Sequence, residues 1–216
     1  MPQSVDALML LSSTCPHCPG VLAALADLVK KGVLGRLEVV NLEQHPKVGE
    51  TWGARSVPWL KLGPFVLTGA RTPAELATWV ARARDGEARE DSEPGGGMAD
   101  AFHDLLKTGD LAQVQALVAA CPARLAALLP IVANPEASMN VRLGAGVVLE
   151  EYAGQAPLAA LIPGLGALSG HQDSRVRADA CHYLGLAGGE EARTWLQARQ
   201  DDPDAEVREI AREALA

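Results

Sequence analysis

Apolar residues come in two regimes along this chain, short dense runs in the first third and helical periodicity through the rest. Val5 to Leu11, Leu37 to Leu42, Trp59 to Leu62 and Phe65 to Thr68 are compact apolar runs bounded by polar or turn residues, which predicts four strands, the last two joined as a hairpin by Gly63-Pro64. Between the first two, Val21, Leu22, Leu25, Leu28 and Val29 recur at helical spacing and predict a helix from Pro16 to Lys31, ended by Gly32. Pro46 to Thr51 reads as a short polar helix. Thr72-Pro73-Ala74-Glu75 supplies an N-cap, a proline at the first helical position and a capping-box acid, and opens a helix with Leu76, Trp79 and Val80 on one face. The predicted order over residues 1–84 is β-α-β-α-β-β-α.

Residues 85–98 break both patterns. Asp85 to Gly97 mixes charge with Pro and Gly and has no apolar period, which predicts a flexible acidic, Gly-rich linker, with a span on the order of 20 Å. From Met98 onward nearly every window fits helix, and a repeat emerges. Val141-Arg142 with Ala145 and Leu149, Val176-Arg177 with Ala180 and Leu184, and Val207-Arg208 with Ala211 and Leu215 share one spacing, V-R-x2-A-x3-L. Asp173 and Asp204 stand three residues before their valines, with Ser138 in the matching place, as helix N-caps. Val, Ala and Leu form the expected buried stripe, and the arginine is expected to point away from it. Pro157 to Leu168 and Glu191 to Arg199 are the expected partner helices, and residues 99–133 are read as helical hairpins capping the stack. The fold class is therefore α/β plus all-α, with domains at 1–84 and 99–216.

Composition and charge narrow the function. Apolar residues make up 48% and aromatics only 4%, so the cores are built of Leu, Val and Ala. The net charge of −8 is uneven: residues 1–84 carry 9 Lys+Arg against 6 Asp+Glu, whereas residues 99–216 carry 9 against 16. An acidic second half argues against a nucleic-acid partner, and no apolar run approaches the ~18 residues of a membrane span. No Lys or Arg precedes Lys30, and the first apolar run leads straight into a cysteine motif. That is not the build of a secretory signal, so a cytoplasmic location is expected.

The chemistry concentrates in Thr14-Cys15-Pro16-His17-Cys18-Pro19. A strand feeding a helix through Cys-x-x-Cys places Cys15 at the helix N-terminus, where free N–H groups and the dipole stabilise a thiolate. Cys18, one turn deeper, can form a disulfide with it and resolve a mixed disulfide. Zinc is disfavoured because no second ligand pair follows, and c-type haem because Pro19, not His, follows Cys18. No cofactor is expected; a structural cysteine pair is the other reading. Cys121 and Cys181, set among Ala and Leu, read as small buried side chains. His45, His103, His171 and His182 show no ligand spacing.

Residues 5–84 resemble the thioredoxin superfamily. Beside the cysteine motif, the resemblance rests on Val40-Asn41-Leu42-Glu43-Gln44-His45-Pro46 and on Trp52-Gly53-Ala54-Arg55-Ser56-Val57-Pro58, with Pro58 43 residues after Cys15. It implies a compact thioredoxin-like fold, a cis Val57–Pro58 bond packed beside the Cys15 sulfur, and a backbone at Val57 that binds an extended substrate chain. The Pro16-His17 pair resembles that of the periplasmic enzyme that introduces disulfides. There Pro16 would face substrate and a partly protonated His17 would favour the Cys15 thiolate. Three departures matter. The strand and helix that open a full thioredoxin are missing. Met9 stands where thioredoxins bury an acid, so proton transfer to Cys18 needs another group or water. Gly69-Ala70-Arg71 lacks the Gly-Gly and acidic pair with which glutaredoxins hold glutathione, which favours a protein dithiol. Trp52 and Trp59 either border the site or pack in the core.

Residues 135–216 are similar to HEAT repeats, in particular the short type of phycobilin-lyase-related proteins, which implies a stacking, partner-binding solenoid. Together the resemblances imply a thiol–disulfide oxidoreductase with Cys15 as nucleophile, Cys18 as resolving thiol and Pro58 shaping the groove. A redox donor and a protein client held by the repeats complete it. The alternative is a redox-sensitive adaptor without turnover.

Overall fold

The computed structural model describes residues 4–87 and 96–216, in two compact units, Met1–Ala101 and Phe102–Ala216. The first holds β1 (Val5–Leu11), α1 (Cys18–Lys30), β2 (Leu34–Asn41), α2 (Pro46–Thr51), β3 (Trp59–Leu62), β4 (Phe65–Thr68) and α3 (Pro73–Glu87). The element order is the expected one. The strands form one mixed sheet in the order β2-β1-β3-β4, with β1 parallel to β2 and antiparallel to β3. Ala7 pairs with Leu62 and Leu62 with Phe65, so these three share a face; Phe65 meets Trp79 of α3 edge-on at 5.2 Å. Val21, Leu25, Leu76 and Val80 complete this core, all at 2% exposure or less.

In the first unit three segments depart from expectation by two residues or more, each for a local reason. A helix from Pro16 would place Pro19 in its interior, without an N–H and with its ring against the carbonyl of residue 15. Instead α1 opens at Cys18, which puts Pro19 inside the first turn, where its missing N–H costs nothing. β2 starts at Leu34 rather than Leu37, because Leu34 pairs with Val5 and the charged Arg36 with Asp6, Gly35 between them being the extra residue of a bulge. Asp85–Glu87 continues α3 and Gly96–Met98 opens α4 (Gly96–Lys107), so both ends of the expected linker are helical; residues 88–95 lie outside the described residues. The capping box forms as read. The Thr72 N–H donates to Glu75 Oε2 at 2.7 Å and the Glu75 N–H to Thr72 Oγ1 at 3.2 Å, and the bonds from the Thr72 backbone and hydroxyl hold the Glu75 carboxyl below its usual range.

After α4, which crosses from the first unit into the second, come α5 (Leu111–Ala120), a 3-10 helix at Pro122–Leu128, α6 (Leu129–Val132), α7 (Met139–Glu150), α8 (Ala156–Ala159), α9 (Ile162–Leu168), α10 (Ser174–Ala187), α11 (Gly189–Gln197) and α12 (Ala205–Glu213). The expected helix Pro157–Leu168 is split because Pro163, in a continuous helix, would strike the carbonyl of Ala159; it sits instead in the first turn of α9. Val141, Ala145, Leu149, Val176, Ala180, Leu184, Val207 and Ala211 are each 1% exposed or less, as the stripe requires. Leu215 falls beyond α12 and is half-buried. Asp173 and Asp204 cap their helices through their carboxylates, while Ser138 holds the N-cap position with no side-chain capping bond among the described residues.

The signature arginines do not point away. Arg177 donates to the carbonyls of His171 and Gln172, and Arg208 to those of Asp202 and Pro203. In both repeats the arginine folds back over the loop that precedes its own helix and supplies donors to its carbonyls. Arg142 instead reaches Asp179 of the next repeat at 2.6 Å. A two-faced picture of the helix omits that loop, which is why the expectation failed. Helix contact is equally tight where α9 meets α11: a Cβ on Gly166 would overlap the Trp195 indole. Gly166→Ala is therefore expected to destabilise by about 1–3 kcal/mol, seen as a lower urea midpoint with an unchanged slope.

Candidate active site at the Cys15–Cys18 pair

Strand pairing brings four loops to one end of the sheet. Leu11 lies opposite Asn41 at the C-terminal ends of β1 and β2, Leu10 opposite Trp59 at the start of β3, and Trp59 opposite Thr68 at the end of β4. The Cys15 loop, the Asn41–His45 turn, the Val57–Pro58 turn and the Gly69–Arg71 segment all leave from this end. The Val57–Pro58 bond is cis, as the resemblance implied. Pro58 is buried, Val57 half-buried, and the Pro58 carbonyl accepts from the Gly69 N–H at 2.9 Å.

Cys15 and Cys18 are joined as a disulfide, with their Cα atoms 5.5 Å apart. The two sulfurs are not equivalent. Cys18 is 3% exposed and opens α1; Cys15, in the turn before it, is half-exposed. The Cys18 N–H donates to Cys15 Sγ at 3.2 Å. His17 occupies the N-cap position, exposed and without a side-chain cap, and Pro19 has no N–H to offer. The Cys15 sulfur thus accepts from one of the N–H groups that the start of the helix leaves without an intrahelical partner. A thiolate at this atom gains that bond and the positive end of the helix dipole. Cys15 therefore lies three residues before the first residue of the helix rather than directly before it, and its sulfur still meets the helix N-terminus. Pro16 is exposed beside it.

Sequence reasoning missed the residues that hold this loop. Ser13 donates its N–H to Glu43 Oε1 at 3.0 Å, its hydroxyl accepts from Asn41 Nδ2 at 3.0 Å, and Asn41 Oδ1 accepts from the Glu43 N–H at 2.9 Å. Asn41 and Glu43 thereby tie the turn before Cys15 to the end of β2. The available signal was an Asn one residue from the end of the expected strand, a residue type whose side chain bonds the backbone two positions on. Trp59 is buried, whereas Trp52 is exposed, 5.9 Å from Trp59, with Lys61 Nζ 4.5 Å over its ring. With Asp6, Arg36 and Glu38, Trp52 and the half-buried Lys61 line a shallow cleft of about 290 Å³ toward the opposite end of the sheet.

The other cysteines are free thiols. Cys181 is fully buried, and burial pushes its thiol up to about 11. Cys121 is half-buried at the C-terminus of α5, more open than expected. Among the described residues no helix is long and apolar enough to cross a membrane. No curated protein matches the chain. Residues 125–216 match the family model of HEAT repeats, beginning within the 3-10 helix that precedes α6 and taking in all three signature helices.

Proposed function

We propose that the first unit is a thioredoxin-superfamily domain and that the chain is a thiol–disulfide oxidoreductase acting on protein thiols and disulfides, with the helical repeats recruiting or orienting a protein client. In the reducing direction the Cys15 thiolate attacks a client disulfide, forming a mixed disulfide and releasing one client thiolate. The Cys18 thiolate then attacks the Cys15 sulfur, which frees the second client thiolate and leaves Cys15–Cys18 oxidised. Two electrons pass from the pair to the client. The reverse sequence oxidises a client dithiol, and a dithiol donor or disulfide acceptor closes either cycle. Pro16 and Val57 flank the path of the client chain, with Pro58 shaping the groove and His17 beside the attacking sulfur.

The observation that carries this reading is the asymmetry of the pair: an accessible Cys15 sulfur, hydrogen-bonded to the backbone at the start of α1, joined to a buried Cys18. Insulin reduction by the full chain with a dithiol reductant tests it. Turnover well above that of the dithiol alone is expected. A rate equal to the dithiol alone would overturn the enzyme and leave the redox-sensitive adaptor.

A further inference from the structure

The three signature helices carry different side chains at matching repeat positions. On α7, Met139, Leu143 and Val147 are 68%, 61% and 41% exposed. At i, i+4 and i+8 they form one line along the helix, about 12 Å long at ~1.5 Å per residue. Counted from the signature valine, the same positions hold Ser174, the buried Ala178 and His182 on α10, and Ala205, Glu209 and Glu213 on α12. Packing of the repeat does not ask for large apolar side chains there, since α10 and α12 do without them. Three in a row left in solvent mark an interaction surface rather than a by-product of the fold.

Contacts fix what flanks this line. On one side Glu151 accepts from Gln115 of α5. On the other, Arg142 is neutralised by Asp179, and Glu150 lies 3.3 Å from His182 Nε2, both on α10. Beyond Val147 the stripe ends in two adjacent carboxylates, Glu150 and Glu151, and in the last carbonyls of α7, whose final turn carries no basic residue. All of these are negative. The surface is apolar along its length and acidic at one end.

We propose that this face of α7 docks an amphipathic helix bearing basic residues. Its apolar ridge covers Met139, Leu143 and Val147, and its Lys or Arg side chains meet Glu150 and Glu151. Three anchors in a line about 12 Å long match the i, i+4, i+7 ridge of a partner helix. The acidic end rejects nucleic acid and anionic membrane. A second copy of the same face would add its own Glu150 and Glu151 to the contact, whereas a basic helix neutralises them. As the docking element of a client, this rests on the recruiting role given above to the repeats.

Fluorescence anisotropy of the full chain with a labelled synthetic Leu/Lys amphipathic helix of about five turns, and with its Leu/Glu counterpart, tests the surface. The Lys peptide is expected to saturate the chain at least about tenfold more tightly than the Glu peptide. Leu143→Ser should weaken it roughly tenfold, as loss of a central anchor does. The double variant Glu150→Gln with Glu151→Gln should weaken it severalfold and flatten its salt dependence, while Glu209→Gln with Glu213→Gln on α12 should leave it unchanged. These positions are exposed, so the variants keep the fold, checked by unchanged thermal unfolding. Equal binding of the two peptides, unchanged affinity in Leu143→Ser, or a dimer in sedimentation that Leu143→Ser dissolves would each overturn the proposal. The readout involves no thiol chemistry: lost peptide binding with insulin turnover intact removes the docking surface alone, and peptide binding without turnover supports it while removing the oxidoreductase.

Discussion

Cys15→Ser is expected to lower thiol–disulfide exchange by roughly a thousandfold or more, because a serine hydroxyl is not ionised at neutral pH and cannot replace the attacking thiolate. Cys18→Ser should act differently. It leaves Cys15 able to attack but removes the thiolate that releases the client, so covalent adducts accumulate that a small dithiol reverses. The assignment of roles comes from geometry: Cys15 is half-exposed and accepts the Cys18 N–H, whereas Cys18 is 3% exposed. A client sulfur can reach the first and not the second. Non-reducing gels after incubation with a disulfide-bonded protein separate the two variants. Adducts on Cys15→Ser in place of Cys18→Ser would reverse the roles, and adducts on neither would remove the pair from the chemistry.

The strands were legible because their signal is local. Val5–Leu11, Trp59–Leu62 and Phe65–Thr68 are bounded by residues that cannot extend them, and their ends match the expectation. β2 was misjudged at its start because Arg36 is held there by pairing with Asp6 of β1 across a bulge at Gly35, not by apolarity. The start of α1 was legible in principle, since Pro19 alone forbids a helix from Pro16. The cysteine pair was read from spacing, and its asymmetry followed from the strand-to-helix order. Ser13, Asn41 and Glu43 were not read as site residues, because their roles arise only when the ends of β1 and β2 come together. The repeat valines, alanines and leucines were read correctly from period alone, except Leu215, which falls beyond α12 and is half-buried. Their arginines were not, because period describes the helix and omits the loop folded over it.

The largest effect expected in the helical unit follows from that loop. Asp202 has a fully buried carboxylate that accepts from Arg177 Nε at 2.9 Å, from the second Arg177 nitrogen at 2.8 Å and from the Asp204 N–H at 3.0 Å. Arg177 is itself 9% exposed and also holds two carbonyls of the loop before α10. One ion pair thus ties the approaches to α10 and α12 together. Asp202→Ala should cost about 3–5 kcal/mol, because it strands a buried guanidinium, a large share of the ~5–15 kcal/mol that holds a domain. Replacing both partners with apolar residues, Arg177→Met with Asp202→Leu, should cost less than Asp202→Ala alone, since no buried charge is left. Burial by itself would raise the Asp202 pKa, but the Arg177 bond, the Asp204 N–H and the charges of Arg177 and Arg199 outweigh it and hold the carboxyl below its usual range. A carboxyl depressed in the folded state contributes stability that is present above its unfolded pKa of about 4 and is lost as pH falls through the folded value. Urea unfolding at pH 7 and at pH 3 should therefore show a gap between the native chain and Asp202→Asn that narrows in acid. A gap of equal size at both pH values would mean that the charge of Asp202 contributes nothing and that its shape and hydrogen bonds alone hold the two loops.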